Sequence, residues 1–169
     1  VEAARIAAKR GHHVSLYERG DRIGGQMFYA VAPPHKENMI PLIPYLERQL
    51  ELNHVNVHLG STLTAQDILR MKPDAVVCAT GVKPPVLPIP GFDRTVSAKE
   101  ILTGRESGDR IVIIGGGVVG CETAEYLAEK GKKVTVIEML DTMAGKMVNV
   151  ARTILMGHLK GLNVELYTS

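Results

Sequence analysis

The chain changes hydropathy period several times, and each change marks an element. Residues 1–10 read as the end of a helix with apolar Ala4, Ile6, Ala7 and Ala8, which Gly11 stops. The stretch 13–18, HVSLYE, alternates like a strand. RIGGQ (22–26) predicts a tight turn, and APPHK (32–36) a loop, because Pro33 and Pro34 have no N–H to give a ladder. Ile43, Leu46 and Leu50 make the second half of 37–52 helical. VNVHL (55–59) reads as a strand, and Thr64 with Asp67 as a helix N-cap before ILRM. DAVVCAT (74–80) is a continuous apolar run of strand length, which predicts a buried strand. The proline-rich stretch 81–91 predicts an extended crossing, and Ser97 with Glu100 a capping box on a short helix.

After residue 109 the pattern restarts. RIVII (110–114) predicts a buried strand, 118–130 a helix stopped by Gly131, and KVTVIE (133–138) a strand. A helix over 146–160 and a strand over 163–168 follow. Strands alternating with helices of this length imply an α/β fold with a parallel sheet. The restart is also a repeat. Shifted by 120 residues, VEAARIAAKRGHHVSLYE (1–18) aligns without a gap on CETAEYLAEKGKKVTVIE (121–138), pairing Glu2 with Glu122, Ala4 with Ala124, Gly11 with Gly131 and Glu18 with Glu138. Only the later copy is preceded by a strand and a glycine loop.

That loop carries the chemistry. Gly115, Gly117 and Gly120 form G-x-G-x-x-G between a predicted strand and a predicted helix. The first glycine permits the turn, the second lets backbone approach a pyrophosphate, and the third lets helix pack close to sheet. The N–H groups opening the helix, with Val118 and Val119 in its first turn, stand at the positive end of its dipole. Glu138 ends the next strand, 18 residues after Gly120, where a carboxylate accepts hydrogen bonds from ribose hydroxyls. It would repel a 2′-phosphate, and MLDTMAG (139–145) offers no arginine, so NAD is expected rather than NADP. By the repeat, Glu18 would hold the ribose of a second dinucleotide.

Composition narrows the remaining options. No block of like charge suggests nucleic acid, and the apolar run around 111–121 is too short to span a bilayer. Cys78 and Cys121 form neither a C-x-x-C pair nor a metal spacing, so disulfide chemistry and a metal site are not expected, and the cytoplasm is the default setting. His12 and His13 flank a strand and His35 lies in a loop, with none forming a nucleophile–base set with a cysteine.

The stretches EAARIAAKRGHHVSLYERGDRIGGQ, DAVVCATG and RIVIIGGGVVGCETAEYLAEKGKKVTVIE resemble the FAD/NAD(P)-binding region of two-dinucleotide-fold flavoproteins. RIGGQ followed by APPHKE narrows this to the C-terminal part of NADH:flavin oxidoreductases similar to 2,4-dienoyl-CoA reductase and trimethylamine dehydrogenase. The resemblance implies two Rossmann-like units. Residues 1–106 would be an incomplete FAD-type domain lacking its first strand and glycine loop, and 107–169 the first part of an inserted NAD-type domain. It implies that Glu18 and Arg19 lie by the FAD ribose, that Gly24, Gly25 and Gln26 line the flavin or pyrophosphate, and that Leu63 meets adenine through its backbone. Ala79, Thr80 and Gly81 would pass close to the cofactor. Gly24–Gly25 can equally be a plain turn, and Thr80–Gly81 a plain strand end. Glu122 resembles a glutamate near the nicotinamide, or is a first-turn acid favoured by the helix dipole.

By the same resemblance the parent is an oxidoreductase in which NADH reduces FAD. Electrons then pass to an N-terminal catalytic barrel, carrying FMN and an iron–sulfur cluster, that acts on an enoate, dienoyl-type or amine substrate. The barrel and later strands are absent here, so the chain is expected to be a fragment without turnover. Its unpaired sheet edge would favour a homodimer. Two other readings stay open: an ADP-type nucleotide-binding module without redox turnover, and a reductase subunit with a different electron acceptor.

Overall fold

A computed structural model of the 169-residue chain describes residues 1–83 and 86–169. Pro84 and Pro85, inside the predicted proline-rich crossing, lie outside the described residues. The chain divides into two compact units: Val1–Phe28 with Asn38–Lys83, and Tyr29–Glu37 with Pro84–Ser169. Both are α/β, and every strand pairing described is parallel.

In the first unit, helix α1 (Glu2–Lys9) leads to strand β1 (Ser15–Tyr17), and α3 (Leu42–Leu52) leads to β2 (Asn56–His58). Gly11, at φ 90°, ends the first helix in the left-handed region that glycine tolerates. β1 and β2 pair from Ser15 opposite Asn56 to Tyr17 opposite His58. Their core is small: Ile23, Leu50 and Val55, with Val1, Ala4, Ala8, Val14 and Leu16 packed on it. Helix α4 (Ala65–Met71) starts with the predicted cap. The Thr64 side chain accepts from the Asp67 N–H, and the Asp67 carboxylate accepts from the Thr64 N–H at 2.8 Å.

The expected buried strand at 74–80 does not form. That segment is irregular and open, with Val77 73% exposed. An apolar run becomes a strand only when neighbours complete its ladder. Among the described residues of this unit the ladder holds β1 and β2 alone.

The second unit contains a short helix α2 (Met27–Ala30, whose first two residues belong to the first unit) and the loop after it, then α5 (Ala98–Leu102), β3 (Arg110–Ile114), α6 (Val118–Glu129), β4 (Lys133–Ile137), α7 (Asn149–Gly161) and β5 (Glu165–Tyr167). The sheet order is β3–β4–β5. α5 carries the expected Ser97–Glu100 capping box. The core joins Cys121, Ala124, Leu127 and Ala128 of α6 to Val134 and Val136 of β4 and to Leu155 and Leu159 of α7. β3 is buried on one face only: Ile111 and Ile113 pack inward, while Val112 is 61% exposed. The expectation of a buried strand is corrected to a half-buried one, because among the described residues of this unit no element covers the other face.

Candidate functional site

The G-x-G-x-x-G loop forms the turn between β3 and α6. Gly115 has φ 104°, a conformation a side chain would strain, and its N–H donates to the Ile137 carbonyl at 2.8 Å. A Cβ on Gly120 would lie 3.1 Å from the Gly115 carbonyl carbon and closer still to its oxygen, so turn and helix touch backbone to backbone. Gly117 is the N-cap of α6, and a Cβ there would meet nothing within 4 Å. The three glycines therefore have different jobs: Gly115 bends the chain, Gly120 brings the helix close, and Gly117 faces open space at the positive end of a 12-residue helix.

The unpredicted member of the loop is Gly116. It is buried, and a Cβ on it would lie 2.9 Å from the Glu138 Cβ. Its N–H donates to Glu138 Oε2 at 2.8 Å, while the Leu140 N–H donates to Oε1 at 3.0 Å. Glu138 thus ties the end of β4 to the loop. Each oxygen keeps a lone pair for a further donor.

Glu18 has the same setting in the first unit. The Gly20 N–H donates to Glu18 Oε1 at 2.7 Å, as Leu140 does to Glu138. The Glu18 N–H donates to the His58 carbonyl at 2.9 Å, as the Glu138 N–H does to Tyr167 at 2.8 Å. The 120-residue repeat in sequence is therefore a repeat in hydrogen bonding. Arg19 is exposed beside Glu18.

Gly24 (φ 114°) and Gly25 (φ 49°) form a turn, with the Met27 N–H donating to the Gly24 carbonyl at 3.0 Å. A Cβ on Gly24 would be 2.9 Å from the Phe28 ring, so this glycine is needed for packing. The structure brings Gln26 and Gly81 together: the Gly81 Cβ position is 3.7 Å from Gln26 Nε2. Ala79 and Thr80 are exposed in the irregular segment, and Leu63 is half-buried just before the Thr64 cap.

Glu122 lies in the second turn of α6, which has no acid in its first turn, so the expected first-turn acid is corrected; it pairs with Lys36 Nζ at 2.6 Å, both side chains largely shielded. Sequence reading placed Lys36 in a plain loop. Nothing in the spacing signals that the loop returns to α6. Cys121 is fully buried, and its thiol donates to the Gly116 carbonyl at 3.2 Å. Burial pushes it up to about 11, which removes it as a nucleophile.

The geometry fits a dinucleotide. Open space lies before Gly117, unpaired N–H groups start α6, and a carboxylate stands at the end of the adjacent strand. Among the described residues, no helix is long and apolar enough to cross a membrane.

The chain is similar to known proteins over nearly its whole length. It is 41% identical to NADH oxidase of Thermoanaerobacter brockii over 99% of the chain and 27% of that protein. It is 38% identical to bilirubin reductase of Mediterraneibacter gnavus, again over 99% of the chain and 27% of the relative. Among solved structures, a 2-naphthoyl-CoA reductase complex superposes with a TM-score of 0.92 at 34% identity, covering 99% of this chain and 26% of that one. The chain thus spans about a quarter of the length of these relatives. The family model for pyridine nucleotide-disulphide oxidoreductases matches residues 1–169. The chain belongs to this family of FAD- and NAD(H)-binding oxidoreductases.

Proposed function

We propose that these residues are the dinucleotide-handling part of a flavin-dependent oxidoreductase in which NADH reduces FAD and the electrons leave for a separate catalytic module. The observation that carries this reading is the duplicated strand-end carboxylate, Glu18 and Glu138, held by matching backbone hydrogen bonds in two α/β units. One ribose-binding carboxylate suffices for one dinucleotide; two argue for a pair. The reading keeps the division into an FAD-type part, 1–106, and an NAD-type part, 107–169. Relatives named for reduction of bilirubin and cinnamate support an unsaturated acceptor for the module that lies outside these residues.

On this reading each residue has a defined task. The start of α6 and Gly117 would receive the NADH pyrophosphate, and Val118 and Val119 would present backbone N–H groups to it. Glu138 would accept from the ribose hydroxyls while its bonds to Gly116 and Leu140 hold it in place. That negative charge disfavours a 2′-phosphate. Lys36 holds the Glu122 carboxylate at 2.6 Å and so fixes the N-terminal half of α6 beside the expected nicotinamide end. Glu18 and Arg19 would face the FAD ribose, with Gly24, Gly25, Gln26, Leu63, Ala79, Thr80 and Gly81 along the same cofactor. The two bound cofactors supply the hydride and electron chemistry, and the protein supplies their binding and orientation.

The test is a fluorescence titration of the protein with NADH and with NADPH. Saturable binding with NADH tighter by at least tenfold is expected. Equal affinity for both would overturn the assignment of Glu138. No saturable binding of either would overturn the dinucleotide reading.

A further inference from the structure

Glu125 is the buried carboxylate of the described residues, 4% exposed on the core side of α6. A buried charge is costly unless paired. Its Oε1 lies 2.6 Å from His158 Nδ1 on α7 and 3.9 Å from His35 Nε2 in the loop after α2. One helical turn along, Glu129 Oε1 is 3.8 Å from the same His35 nitrogen. The two imidazole rings stand 5.0 Å apart, tilted by 58°. One ligand atom from each of His35, Glu125 and His158 lies within 4.8 Å of the others.

We propose that His35, Glu125 and His158 bind a divalent cation of the zinc class, with Glu129 at the rim. Two imidazole nitrogens and a carboxylate are the donor set such an ion prefers. Three protein ligands leave a fourth position for water or for Glu129. Two glutamates with two neutral imidazoles carry two negative charges, which a divalent ion cancels. Tetrahedral nitrogen and oxygen ligands stand about 3.3 Å apart when each bond is about 2.0–2.1 Å. The pair at 2.6 Å must open by about 0.7 Å, and His35, 3.9 Å from Glu125, must close by about 0.6 Å, within reach of a side chain 63% exposed; no pair in the cluster is more than 4.8 Å apart. The ion would sit between Glu125 Oε1 and His158 Nδ1 in place of their hydrogen bond, with the neutral imidazole carrying its N–H on Nε2. It would also clamp the 33–37 loop to α6 and α7. This inference does not depend on the dinucleotide reading, and it departs from the sequence expectation of no metal.

The test uses chelator-stripped protein in a Cys78→Ser background, since that exposed thiol is a competing ligand. Zinc chloride is titrated by calorimetry, and cobalt chloride is followed by its visible absorption. One equivalent of zinc is expected, with a melting temperature raised by the ion. His35→Ala removes an exposed loop side chain and leaves the helices alone, so it should stay folded. It should weaken zinc binding at least fivefold and abolish the thermal shift. His12→Ala with His13→Ala should leave both unchanged. Absence of binding below millimolar zinc, or a loss under fivefold in a folded His35→Ala variant, overturns the proposal.

Discussion

The contrast between Gly120 and Gly117 separates the structural part of the glycine loop from the ligand-facing part. A methyl group on Gly120 would fall 3.1 Å from the Gly115 carbonyl carbon and nearer to the oxygen, against ordinary contacts of 3.4–4 Å. The obstacle is backbone, held by the 2.8 Å bond from the Gly115 N–H to Ile137, so no side chain can swing away. Overpacking typically costs about 1–3 kcal/mol, and a backbone clash belongs at the upper end. Gly120→Ala should therefore lose about 3 kcal/mol, which lowers Tm by about 6–12 °C for a protein of this size. A Cβ on Gly117, by contrast, meets nothing within 4 Å, so Gly117→Val starts into open space. Its cost is the poorer N-cap, about 1 kcal/mol, yet it should weaken NADH binding at least tenfold. Thermal melts by circular dichroism and an NADH titration read both. A Gly120→Ala variant melting within about 2 °C of the parent would refute the close-approach argument. A folded Gly117→Val variant with unchanged NADH affinity would refute the role of the open space.

Further outcomes follow from the same geometry. Glu138→Ala removes the charge that disfavours a 2′-phosphate, and each charge-assisted hydrogen bond lost is worth about 1.5–3 kcal/mol; the preference for NADH over NADPH should narrow, and unchanged discrimination in paired titrations would sink the assignment. Hydrogen bonds from Thr64 and from Ser97 hold the Asp67 and Glu100 carboxyls below their usual values of 3.8 and 4.5. A depressed folded value stabilises above the unfolded value and is lost as pH falls through the folded one, so acid should loosen both capping boxes below about pH 4.5. Ser97→Ala with Glu100→Gln should flatten that limb of an acid titration followed by circular dichroism. Iodoacetamide at pH 8 should label Cys78 and spare Cys121, whose thiol is raised to about 11; mass spectrometry showing two labels on native protein would contradict the burial argument.

What the sequence made legible was governed by short-range physics. The glycine loop, both capping boxes and the stop at Gly131 depend on contacts within a few residues, and all appear where the spacing puts them. The alternating strands were legible through their period. Val76 and Val77 show the limit: an apolar run states that a segment can be buried, while a ladder partner decides whether it is. β3 shows it again, since Val112 and Ile114 are apolar and exposed.

Ion pairs across the fold were not legible at all, for a related reason. Glu125 sits among Thr123, Ala124 and Leu127 on α6 and reads as one more polar position on an amphipathic helix. Only packing reveals that it faces inward, and only the topology brings it His158, 33 residues later, and His35 from a loop before the sheet begins. Lys36, next to His35, reaches Glu122 by the same return of the loop. Two neighbouring loop residues thus reach three acids of one helix: Lys36 meets Glu122 near the glycine turn, and His35 lies by Glu125 at mid-helix and Glu129 at the far end. Whatever fixes His35 also fixes Lys36, because the two share a backbone. Loss of the Lys36–Glu122 pair in Lys36→Ala should therefore weaken zinc binding at least threefold, and an affinity within threefold of the parent would refute the coupling through the shared backbone.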